Sequence, residues 1–162
     1  MIYGPHISLR RIEYMELTTR LFGKINVDES KIIVFENGLP GFPDNKKFMI
    51  INDAESPDNV FSWLQSIEDG MLSFIILDTL RVLKDYNPLV EAEALEPLGE
   101  FNIEDLLIYN IAAVPGDINK MTINLKAPVI INPKTQKGKQ VIVNNEEYPI
   151  RYNIINDIKS GR

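Results

Sequence analysis

Cysteine is absent from this 162-residue chain, which excludes a disulfide framework, thiol catalysis and thiolate metal sites and is compatible with a reducing compartment. Histidine occurs once, as His6, near the start of a stretch with no clean hydrophobic period. A Ser-His-Asp arrangement or a histidine metal site would have to rest on that one residue. No apolar run approaches the roughly 20 residues of a membrane span, and the N-terminus lacks the apolar core of a signal peptide. Arg10-Arg11 is followed by Ile12-Glu13-Tyr14, not by the apolar stretch of a twin-arginine signal. A cytoplasmic protein is expected. Basic excess is lacking too: 17 Lys and Arg face 23 Asp and Glu, for a net charge of -6. That balance counts against sequence-independent nucleic-acid binding, which needs a basic surface to replace phosphate counterions.

What is present is β-pattern broken by turns. From Met121 to Lys126, Met121, Ile123 and Leu125 alternate with Thr122, Asn124 and Lys126, the period of a half-buried strand. Pro128 has no amide hydrogen for a sheet ladder. It marks a corner where the chain leaves one run of strand and Val129-Ile130-Ile131 enters another. Asn37 to Pro43 holds the strongest turn signal, and Leu39-Pro40-Gly41-Phe42 suits type II because proline fixes φ at the second position and glycine accepts positive φ at the third. No Lys-Ser or Lys-Thr follows Gly41, so this is not a phosphate cradle.

Strands are predicted at Thr18 to Lys24, Lys31 to Glu36, Lys47 to Asn52, Val60 to Ile67, Leu72 to Leu77, Leu106 to Val114, Gln140 to Val143 and Ile150 to Ile155. Asn26 to Ser30 would connect the first two. Glu68-Asp69-Gly70 would turn Val60–Ile67 back as a hairpin, and Asn144 to Glu147 would do the same for the last two strands. Trp63 and Phe74 are expected to pack in the core. Asn102 is placed to cap a helix of one or two turns, and the pattern of Leu89 to Leu95 does not settle its structure. The loop Lys134 to Lys139 is read as a solvated hairpin tip. About ten short strands with turn signals between them describe an all-β fold, a small antiparallel β-barrel-like domain or an orthogonal sandwich, with one or two short helices. A chain of this length buries roughly 70% of its unfolded surface, enough for a core. The expected organisation is a flexible extension over 1–14, one domain over 15–156, and a frayed end over 157–162.

Little here points to catalysis. The acidic pairs Glu68-Asp69, Glu104-Asp105 and Glu146-Glu147 are adjacent in sequence and sit in turns or at a helix start, where solvated charge accounts for them. No catalytic residue, metal or cofactor is expected. An acidic chain of this kind suits a basic protein partner.

The run Gly38-Leu39-Pro40-Gly41-Phe42, then Trp63-Leu64-Gln65-Ser66 before Ser73-Phe74, then Asn124-Leu125-Lys126-Ala127-Pro128 with Val129 to Asn132, and finally Gln140 to Val143 and Tyr148, resembles the FliW family of flagellar assembly factors in order and spacing from about Met15 to Ile155. Two features depart from that family's pattern: Asp78-Thr79 stands where many relatives have proline, and residues 1–14 have no counterpart. The resemblance implies a β-barrel-like protein, monomeric alone, that binds flagellin and the translational repressor CsrA, with flagellin competing for it. Partner contacts would then be expected around Phe61, Gln65, Glu68, Asp69, Phe74, Tyr86 and Asn87. Gly38, Pro40, Gly41, Phe42, Asn124, Ala127 and Pro128 would serve the architecture. The rival reading, an oligonucleotide-binding β-barrel, requires exposed aromatics in a basic groove; a small-molecule barrel or enzyme requires convergent polar groups in a pocket.

Overall fold

The computed structural model describes residues 15–56 and 58–161. The expected extension over 1–14 lies outside the described residues. The first strands are β1 (Met15–Thr19) and β2 (Gly23–Val27), an antiparallel hairpin with Thr19 opposite Gly23. Thr19 Oγ1 accepts from Phe22 N and donates to Gly23 O, each at 2.9 Å. The strand expected over Thr18 to Lys24 is thus the tip of a hairpin, and the first two residues of the expected connection Asn26 to Ser30 are strand. Local β-propensity was real there; the hydroxyl of Thr19 and the positive φ of Gly23 turned the chain back.

Next come β3 (Ile33–Val34), β4 (Lys47–Asn52), β5 (Phe61–Ser66), β6 (Ser73–Asp78), β7 (Leu107–Ala113), β9 (Val129–Asn132) and β10 (Lys137–Gln140). In the order β7-β6-β5-β4-β3-β10-β9 they form a sheet that closes on itself, because β9 pairs back onto β7 through Leu107↔Ile131, Ile108↔Ile130 and Tyr109↔Val129. The result is a closed seven-stranded barrel. One pair departs from the expected antiparallel pattern: β10 runs parallel to β3, joined at Lys137↔Val34 alone. Inside are Ile33, Phe48, Leu64, Ile76, Val129 and Ile131, from strands whose alternate residues face inward, together with Phe35 and Leu39 from the segment after β3.

The corner after Leu125 exists, and β7 explains it. The first half of one edge of β7 pairs with β9, while Ala112 and Ala113 pair with β8 (Thr122–Ile123). Asn124 to Pro128 carries the chain from one partner to the other. Asn124 Oδ1 accepts from Lys126 N (3.1 Å) and Ala127 N (3.0 Å), closing the bend that Pro128 then leaves. Met121, Ile123 and Leu125 are all buried, as their alternation requires. The turn at Leu39–Phe42 also forms as expected, with Phe42 N donating to Leu39 O at 2.8 Å and Gly41 at φ 85°. A Cβ at Gly41 would meet nothing within 4 Å. Gly41→Val should therefore destabilise through backbone strain alone, by about 1–3 kcal/mol in urea unfolding; a variant as stable as the parent would rule that strain out.

The second half of the chain differs more from expectation. Leu89 to Glu91 has no regular structure and leads into α1 (Ala92–Leu95) and a 3-10 turn over Glu96–Leu98. Asn102 precedes a single 3-10 turn, Ile103–Asp105, but its side chain donates to Asp105 Oδ2 (3.3 Å) instead of capping the backbone. Lys137 and Lys139, read as parts of a loop tip, belong to β10; the tip is 133–136, with Gln136 at φ 56°. Val141 and Val143 continue beside the corner through bonds from their N–H groups to Pro128 O and Lys126 O. They do not pair with the last strand. That strand, β11 (Tyr152–Asn153), is two residues long and pairs with β8. Where a frayed end was expected, α2 (Ile155–Lys159) lays Ile155 and Ile158 against a second core of Leu77, Val82, Tyr86, Met121, Ile123, Leu125 and Ile154. The sequence pattern there is too short to separate helix from strand, and burial decides.

Candidate functional site

The residues singled out for partner contact fall into separate places. Gln65 is fully buried, and its Nε2 donates to Ser66 O and Leu72 O at 3.0 Å each, so it closes the β5–β6 turn from within. It is corrected from a surface contact to an internal strut. Glu68 is exposed, yet its Oε1 accepts from Lys46 N (2.5 Å) and Lys47 N (2.8 Å), which anchors the start of β4. Asp69 Oδ1 accepts from Met71 N at 2.9 Å in the same turn. Phe74 is half-buried against the barrel core, edge-on to Phe42 at 5.3 Å. Phe61 lies four residues along β5 from Gln65, roughly 13 Å at strand rise, and packs into the second core. Trp63, expected in the core, is half-buried with its ring edge-on to Phe22 at 5.4 Å, where it holds the β1–β2 hairpin onto the barrel. Tyr86 and Asn87 stand elsewhere again, after β6.

Around those last two a surface assembles. The backbone after β6 makes a 3-10 turn over Thr79–Arg81 and brings Tyr86 down beside the corner. Burying a phenol requires a partner for its hydroxyl, and Tyr86 OH donates to Leu125 O at 2.7 Å while Asn110 Nδ2 donates to it at 3.2 Å. Burial pushes the Tyr86 hydroxyl up to about 12, opposed by the Asn110 bond and helped by neighbouring Tyr148. It is neutral at physiological pH and keeps its one hydrogen on Leu125 O. The Tyr148 ring packs on Tyr86 with centroids 4.9 Å apart, and its hydroxyl accepts from Asn87 N at 2.8 Å. Pro149 O accepts from Leu125 N, and Tyr152 OH donates to Asp157 Oδ2 at 3.0 Å. Burial, and then the Asp157 carboxylate, raise the Tyr152 hydroxyl above its ordinary value.

Three tyrosines with Leu83, Leu125 and Pro149 thereby line an open groove of about 390 Å³, and Asp85 and Glu147 stand among its lining residues. Apolar walls with carboxylates beside them suit a protein surface that is apolar at its centre and basic around it. Among the described residues no three His, Cys, Asp or Glu side chains are grouped to hold a metal ion, and no helix is long and apolar enough to cross a membrane. Tyr86 and Asn87 of this surface were expected from the sequence, with Tyr148 in a family motif and Glu147 in an acidic pair read as solvated, but Leu83, Asp85, Pro149 and Tyr152 were not. The available signal was four tyrosines (Tyr86, Tyr109, Tyr148, Tyr152) in the second half of the chain; which of them converge is a matter of tertiary contact.

The FliW protein family matches residues 16–154. The flagellar assembly factor FliW of Lachnospira eligens is 43% identical over 148 residues, covering 90% of this chain and 97% of that protein. That of Thermoanaerobacter pseudethanolicus is 40% identical over 147 residues, covering 91% and 97%. A crystal structure of the flagellar assembly factor FliW superposes with a TM-score of 0.78 at 29% identity, covering 86% of this chain and 96% of the other.

Proposed function

This chain belongs to the FliW family of flagellar assembly factors, and on that premise we propose that it binds CsrA and flagellin in mutually exclusive complexes. Binding of CsrA relieves translational repression. Free flagellin displaces CsrA and so restrains its own synthesis. The observation that carries this reading is the tyrosine groove with Asp85 and Glu147 beside it in a chain of net charge -6. Its apolar walls offer anchors of the kind that concentrate binding energy. The carboxylates favour approach of a basic RNA-binding partner. Tyr86 and Asn87 act here, while Glu68 and Asp69 form a second acidic patch whose charge adds to steering at longer range.

Two measurements test it. In a calorimetric titration, saturating flagellin should abolish heat from CsrA, and the reverse; simultaneous binding at undiminished affinity would overturn the exchange. Reversing Asp85 and Glu147 to lysine should slow association with CsrA by about tenfold at low ionic strength, with the wild-type rate falling as salt rises. An unchanged rate would remove the carboxylates from the encounter.

A further inference from the structure

The barrel is closed at its weakest point by one residue pair. β3 meets β10 at Lys137↔Val34, supported by Val34 N donating to Gln136 O at 2.9 Å. Beyond Val34 the two chains part. Phe35 N donates to Lys46 O on the other side, Gly38 N donates to Phe35 O, and the chain enters the Leu39–Phe42 turn. The β10 segment continues, held along its other edge by Lys139↔Ile130 and by the bonds from Val141 N to Pro128 O and Val143 N to Lys126 O. Successive residues of a strand turn their N–H and C=O to opposite edges. Gln140 and Ile142 therefore present theirs to the side that β3 has left, where no backbone partner pairs with them among the described residues, and the gap ends at Asn144, whose N–H donates to Leu89 O at 2.7 Å. Ile142 is also 74% exposed.

Beside this edge lies a groove of about 510 Å³, bounded by the Leu39-Pro40-Gly41 turn, Val34 and Pro97. Its titratable lining residues are Lys137, Glu36 and Lys139, whose Nζ donates one hydrogen to Ala94 O at 3.0 Å and keeps two others. Lys137 and Glu36 approach to 3.5 Å, but both are substantially exposed, and such a pair contributes at most about 1 kcal/mol. The groove is thus net positive in an acidic protein. An open edge invites another strand. A second copy of this chain is a poor occupant, because pairing two β10 edges brings their own lysines together. A chain of opposite sign removes that repulsion.

We propose that the open edge of β10 and its groove dock an extended, acidic peptide segment that adds to the sheet as a strand. Its main chain bonds to Gln140 and Ile142, an apolar side chain enters beside Leu39 and Pro40, and a carboxylate sits at Lys137 and Lys139. This site is distinct from the tyrosine groove and does not depend on the functional reading above.

The probes are two synthetic peptides of about ten residues, one alternating threonine and valine with two aspartates and one with two lysines in their place. The acidic peptide should bind and slow amide exchange at Gln140 and Ile142 by about tenfold or more, and the basic one should not. K137E with K139E should weaken the acidic peptide by about tenfold while circular dichroism stays unchanged. If that double variant does not fold, K137Q alone should weaken it in the same direction. Four results would overturn the proposal: slow exchange of both amides in the free protein, no binding of the acidic peptide, equal binding of both peptides, or protection arising from concentration-dependent dimerisation.

Discussion

Asn110→Ala is expected to lower the stability of this protein by about 3–5 kcal/mol, combining a cavity with stranded buried polar groups. Asn110 is fully buried on β7. Its Oδ1 accepts from Thr79 Oγ1 at 2.5 Å, and its Nδ2 donates to Asn124 O at 2.6 Å and to Tyr86 OH at 3.2 Å. One amide therefore joins the segment after β6, the corner before β9 and the phenol beneath the tyrosine groove. Alanine leaves the Asn124 carbonyl without this donor and the Thr79 hydroxyl with only a longer contact of 3.3 Å to Leu77 O. Buried networks of this kind lose more than the sum of separate bonds. Thr79→Val, which removes one member, should cost about 1 kcal/mol. Urea denaturation decides between them: a loss below that of Thr79→Val for Asn110→Ala would show that the network does not hold these segments together. At temperatures where the variant stays folded, partner affinity should fall too, since Tyr86 is positioned by the same amide.

Tyr148→Ala should weaken binding to CsrA by about thirtyfold, roughly 2 kcal/mol, the scale of an aromatic anchor at an interface centre. The substitution removes the ring that packs on Tyr86 and most of one groove wall. Tyr148→Phe is the control. It keeps the ring and loses only the acceptor for Asn87 N, an exposed bond that water replaces at little cost. Phenylalanine should thus bind close to the parent, and alanine should not. If flagellin and CsrA overlap physically on the groove, both affinities fall in parallel in the alanine variant. An alanine variant that binds CsrA like the parent would move the contact away from the groove.

Local features of this fold were legible in the chain because their causes are local. The type II turn at Leu39–Phe42 follows from a proline and a glycine in adjacent positions, and the bend at Asn124 to Pro128 follows from an asparagine side chain and a missing amide hydrogen. The β5–β6 hairpin follows from alternation before Glu68-Asp69-Gly70 and an apolar run after it. The family, too, was legible as an ordered set of short motifs. Pairing was not. Nothing in the alternation of Gln140 to Val143 says that the regular ladder runs over Lys137–Gln140, or that it closes the barrel in parallel on Val34, because a period of two is the same whichever neighbour a strand takes. Gln65 shows the same limit for a single side chain: its strand position is compatible with either face of the sheet, and only the carbonyls of the returning turn make it internal. The groove was least legible of all. Tyr86 reaches Leu125 across 39 positions and Asn87 reaches Tyr148 across 61, and contacts over such separations are set by how the corner and the segment after β6 pack on the second core.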